Sequence, residues 1–193
     1  MAAIFFRELG RKIPHFLVLA TVGLFVLLER SVSREIALFT LLFILLIFLA
    51  LEYLRIELNV SLPFLSSWVR AKEERTLHGA GYFLMGAVII LAVLDLRIAL
   101  AALLMAALGD MAAGIAGKQY GTTLLFKDKT LRGGLAEFIT NVVVGLIVLH
   151  NIYIIILMAF TATVVETFVN DLEDNLYVPL FAGFVGQLLI YLI

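Results

Sequence analysis

The run Leu108-Gly109-Asp110-Met111-Ala112-Ala113-Gly114-Ile115-Ala116-Gly117-Lys118 sets a carboxylate and three glycines at the end of a long apolar stretch. A carboxylate beside hydrocarbon is costly and marks a candidate functional site. At helical spacing Asp110, Ala113, Gly114 and Gly117 share one side, with Gly121 a turn further on, so the pattern predicts a smooth groove with Asp110 at one end. Asp110 suits a magnesium ligand or the organiser of a phosphate site, because magnesium takes one or two carboxylates plus substrate phosphates. The plainer reading is a hydrogen bond to a neighbouring helix. The following segment, Lys118–Arg132, combines Gly121, three threonines and the cations Lys118, Lys127, Lys129 and Arg132. Backbone N–H groups of such a turn cradle phosphate oxygens while lysines supply charge. It lacks Walker A spacing, and it reads equally well as a loop touching lipid headgroups.

Further carboxylates cluster in the second half. Glu137 and Asn141 lie four apart and point the same way, as do Glu166 and Asn170. Such pairs can bind a metal, ribose hydroxyls or each other. Asp171-Leu172-Glu173-Asp174-Asn175 is an acidic segment without a cation, which suggests divalent metal binding; a turn capping the last helix through Asp174 is the alternative. His15 and His78 could accept protons or donate to phosphate, but His78 and His150 read as structural.

These residues need a scaffold. Of the 193 residues, 63% are hydrophobic and 15% charged, and none is cysteine, which excludes disulfides, thiolate zinc sites and a cysteine nucleophile. A net charge of −1 excludes a polyanion-binding tail, so no nucleic-acid partner is expected. Seven apolar runs are long enough for membrane helices: 13–28, 36–54, 77–94, 96–116, 133–150, 152–170 and 175–193. The first is short, but Glu29-Arg30 follows it without a small-x-small cleavage site, so it reads as retained. Eleven Lys and Arg residues fall on the N-terminal side of the membrane against three opposite, which puts the N-terminus in the cytoplasm. Asp110, Glu137, Glu166, Asp171, Glu173 and Asp174 then all fall at cytoplasmic helix ends. Within 55–76, Pro63 opens a helix with Phe64, Leu65, Trp68 and Val69 on one side, an interfacial amphipathic helix that anchors the chain or gates a lipid. The expected fold is all-α: a polytopic membrane bundle of about seven transmembrane helices plus one interfacial helix, forming a single domain over 1–193. The oligomeric state is left open, and an oligomer is compatible with the pattern.

Four stretches together resemble the CTP-dependent lipid kinase family of dolichol kinase, phytol kinase and fungal-type diacylglycerol kinase, which is related to the phosphatidate cytidylyltransferases. They are Glu8-Leu9-Gly10-Arg11-Lys12-Ile13-Pro14-His15; Gly109-Asp110-Met111-Ala112-Ala113-Gly114 through Gly117 and Gly121; Lys127-Asp128-Lys129-Thr130-Leu131-Arg132-Gly133-Gly134 with Glu137; and Glu166 with Asp174-Asn175-Leu176-Tyr177-Val178-Pro179. They keep the family's order. Gly10 departs from it, standing where a basic residue is common. The cytidylyltransferases' C-terminal signature is not recognisable.

The resemblance implies transfer of the terminal phosphoryl group of CTP to a membrane lipid alcohol in the cell membrane, with the active site on the cytoplasmic face. Magnesium, or another divalent cation, would be held by Asp110, Asp174 and Asp171. Arg11, Lys12, Gly114, Gly117, Lys118, Gly121, Lys127, Lys129, Arg132 and Asn141 would hold nucleotide and phosphates. Asp110, Glu137, Glu166 and His15 would form the catalytic set, and the sequence does not choose whether Glu137 or Glu166 deprotonates the alcohol. The lipid tail would run along the small-residue groove. The rival enzyme is a CTP:lipid-phosphate cytidylyltransferase. A proton-relaying transporter predicts acidic residues at mid-membrane or on both sides, which this pattern lacks.

Overall fold

The computed structural model describes residues 19–60, 76–127, 129–169 and 173–193. The chain divides into two compact units, Met1–Met85 and Gly86–Ile193. The amphipathic helix expected within 55–76 falls mostly outside the described residues, as do Arg11, Lys12, His15, Asp128, Asn170 and Asp171.

In the first unit, α1 covers 19–31 and α2 covers Arg34–Ile56. Ser33 in extended backbone caps α2, its hydroxyl accepting from the Ile36 N–H at 3.3 Å. α3, Gly79–Val93, begins in this unit and ends in the second. Near its end α2 carries Glu52, 1% exposed, which pairs with Arg55 through contacts of 2.9 and 2.7 Å. Glu52 also accepts from the His78 backbone N–H at 2.9 Å, and Arg55 donates to the Thr76 carbonyl at 2.8 Å. The His78 ring Nδ1 accepts from the Ala80 N–H at 3.1 Å and so caps α3. The His78 ring thus makes a structural contact at the start of α3.

The second unit continues with α4 (Leu96–Tyr120), β1 (Leu124–Phe126), β2 (Lys129–Thr130), α5 (Leu131–Val148), α6 (Ile152–Phe168) and α7 (Asp174–Leu192). Helix starts follow local polar chemistry. The Asp95, Thr130 and Asn151 side chains accept from the N–H groups of Arg97, Gly133 and Tyr153, capping α4, α5 and α6. At α7 the cap position is Glu173, without a side-chain bond, and Asp174 is the first helical residue rather than the cap. The segment between α4 and α5 is not a plain loop. β1 and β2 pair antiparallel, Phe126 opposite Lys129, and Lys127 adopts a φ of 48°, the left-handed backbone a tight hairpin turn demands.

Side-chain pairings show that α4 to α7 run alternately up and down. Gly117 meets Gly133 and Thr130 while Met105 meets Gly145; Gly134 nears Thr167 while Gly145 meets Ile155; Ala102 meets Gly183 while Ile98 meets Gly186. The C-termini of α4 and α6 and the N-termini of α5 and α7 therefore share one end of the bundle. Small residues let the helix backbones approach, a packing mode suited to lipid surroundings.

The described residues contain seven helices, placed where the seven apolar runs lie. Four of them, α2, α4, α5 and α7, are long and apolar enough to cross a membrane; α3 and α6, at 15 and 17 residues, are apolar but shorter. The fold is all-α apart from the hairpin.

Candidate functional site

The shared end of the second unit gathers the polar residues. Lys129, on β2, reaches across to α6, where its Nζ lies 3.1 Å from Glu166 Oε1. Lys129 is 27% exposed and Glu166 only 2%, so the pair is anchored inside and its cation remains partly accessible. Burial pulls the Lys129 amine below its ordinary value, but the attraction of Glu166 outweighs this and raises it; Asp110 and Asp174 add to the rise. Lys129 is therefore charged at neutral pH and is acted on by three carboxylates, from α4, α6 and α7. Asp110 is also near enough to Glu137 and Glu166 to act on both electrostatically.

Glu137 and Asn141 project from successive turns of α5 toward α4, at 2% and 0% exposure. The reason they fit is Gly109. A Cβ built there would lie 2.5 Å from Asn141 Oδ1 and 3.0 Å from Glu137 Cγ, so only a glycine admits these two side chains between the helices. The Asn141 amide nitrogen donates to Thr163 on α6 over a long 3.4 Å. Glu137 Oε1 and Asn141 Oδ1 are buried with no hydrogen-bond partner among the described residues.

The groove expected on α4 is filled in part. Gly133 on α5 packs against the Ala113 carbonyl and Gly117, and Thr130 stands at Gly117 and Gly121. These positions form a helix–helix seam, because Gly133 and Gly117 leave no side chains to hold the backbones apart. Gly114 faces open space, so Asp110, Gly114 and Lys118, spaced by four, mark the side of α4 that remains accessible. The cations are likewise only partly spare. Arg132 donates to the Tyr120 carbonyl at 2.7 Å, closing the C-terminus of α4. Lys127 lies 5.7 Å from the centre of the Phe126 ring, and that ring packs 5.7 Å from Phe168. Lys118 and Lys127 are exposed. His150 is exposed at the opposite end of the bundle.

Sequence reasoning missed Thr163 and Thr167. Their signal was spacing: with Glu166 they make a polar stripe on an otherwise apolar helix.

For a magnesium ion the donors suit in kind, being carboxylate oxygens from Asp110 and Asp174. Among the described residues no three acidic or histidine side chains stand together as a cage. Magnesium needs none where phosphate oxygens complete its shell.

No protein-family model matches the chain, and neither a curated protein nor a solved structure does.

Proposed function

We propose that the chain is an integral-membrane kinase that transfers the terminal phosphoryl group of CTP to a lipid alcohol at the cytoplasmic face, with about seven membrane helices. The observation that carries this reading is convergence: four carboxylates from four helices, Asp110, Glu137, Glu166 and Asp174, all interact with one cation, Lys129 of the hairpin, at one end of the bundle. That end is also where the Lys and Arg excess predicts the cytoplasm. Phosphoryl transfer asks little covalent chemistry of a protein and much positioning and charge compensation, which such a cluster supplies. The choice of CTP rests on the sequence resemblance.

In this reading Lys129, held in place by Glu166, binds phosphate oxygens and stabilises charge as the bond to the terminal phosphorus breaks. Lys118 and Lys127, exposed beside it, extend the positive surface toward the rest of the triphosphate. Asp110 and Asp174 would hold magnesium, which would supply charge neutralisation to the phosphates. The lipid tail stays in the bilayer, reaching the site along the open side of α4 at Gly114. The task needs no soluble domain.

The test is incubation of purified protein with γ-labelled CTP, magnesium and a panel of lipid alcohols. Label in the lipid supports the kinase. Label released as pyrophosphate supports the rival cytidylyltransferase, and no turnover of CTP overturns both. Asp110→Asn should abolish transfer while the protein still inserts into membranes.

A further inference from the structure

We infer that Glu137 Oε1 and Asn141 Oδ1 form the seat of the acceptor's hydroxyl group, and that Glu137 rather than Glu166 takes its proton. This deepens the kinase reading and rests on it. The two carboxylates differ in what they already do. Glu166 spends an oxygen on Lys129 at 3.1 Å, and moving it would release the cation that the phosphates need. Glu137 is not the residue that holds Lys129, and its Oε1 is buried without a donor among the described residues. Asn141 Oδ1 is in the same state one turn along α5, pressed toward the same glycine of α4.

Buried acceptors without donors are costly, and two on successive turns call for a ligand that brings a hydrogen to them. An ionised carboxylate offers only acceptors, as does the amide oxygen, so the ligand group must be a donor. A lipid hydroxyl meets that demand, carries no charge into the bundle, and arrives from the bilayer. A phosphate or a second carboxylate does not. The Asn141 amide nitrogen, directed at Thr163, keeps the oxygen turned toward α4.

The step balances as follows. The O–H bond of the alcohol breaks as its oxygen bonds to the terminal phosphorus of CTP. The bond from that phosphorus to the bridging oxygen breaks, CDP leaves with the electron pair, and the proton passes to Glu137 Oε1.

The experiment uses full-length protein in lipid nanodiscs with γ-labelled CTP and whichever alcohol of the panel the wild type phosphorylates. Glu137→Gln keeps the shape and should lower kcat about a hundredfold or more with the CTP KM unchanged. Asn141→Ala should raise the KM for the alcohol about tenfold, again without moving that for CTP. Glu166→Gln should instead raise the CTP KM. A Glu137→Gln enzyme with wild-type kcat overturns the inference while leaving the kinase reading intact, as does an Asn141→Ala enzyme whose only change is in CTP. If Glu137→Gln does not fold, Glu137→Asp decides: withdrawing the carboxylate by one methylene must lower kcat at constant CTP KM. Absence of transfer by the wild type removes the kinase reading and this inference together.

Discussion

Two glutamates, each buried on a long apolar helix, have opposite surroundings. Glu52, in the first unit, receives two contacts from Arg55 and one from the His78 N–H, so both its oxygens are engaged. Glu137, in the second, keeps one oxygen with no donor. The first arrangement is closed: the carboxylate is neutralised and ties the end of α2 to the segment that starts α3. The second is open: among the described residues nothing donates to that oxygen. Burial of a charge alone does not mark a functional site; the state of its hydrogen bonds does.

The largest test of that contrast is Glu52→Ala. Removing one partner of a buried pair takes from Arg55, which is 9% exposed, its carboxylate, and should destabilise the fold by about 3–5 kcal/mol in a thermal or denaturant titration. Glu137→Gln, which removes a buried charge lacking a full partner set, should leave the unfolding midpoint level with wild type or above it while activity collapses. If both variants lose stability alike, the distinction between closed and open clusters fails. Gly109→Ala comes next: its methyl would intrude on Asn141 Oδ1 at 2.5 Å, costing about 1–3 kcal/mol and, on the proposed mechanism, transfer to the alcohol.

Lys129 gives a pH test. Its folded value is raised above the ordinary 10.5, so its pairing with Glu166 contributes fully below that pH and is lost as pH rises through the higher folded value. Alkaline unfolding curves of wild type and Lys129→Met should therefore differ across neutral pH and converge well above 10.5. The smallest effect belongs to Thr163→Val. Its bond to Asn141 is 3.4 Å long, and losing it should change stability by less than about 1 kcal/mol and lipid KM only slightly.

Much of the scaffold was legible. The seven apolar runs coincide with the helices, and polar residues at their edges, such as Asp95 and Asn151, form caps. Asp110, Glu137, Glu166 and Asp174 were legible as one cluster because short connections force alternate helices to share an end. The hairpin was not, because Lys127-Asp128 is a poor turn signature and Leu124-Leu125-Phe126 is too short to alternate. Nor was the filling of the groove: glycine spacing says that something approaches closely, but not whether it is a ligand or, as at Gly117, another helix. Glu52 escaped notice although the rule that singled out Asp110 applies to it equally, and its pairing with Arg55 three residues on was open to reading.

The close meeting of Gly109 with Asn141 has a consequence for how such a chain could change over generations. Neither position is free to drift alone: a methyl at 109 demands a shorter side chain at 141, and such a shortening leaves a void that a larger residue at 109 would fill. In a selection for function from a library randomised at both, survivors should show the two sites varying as a linked pair, with glycine retained wherever asparagine is.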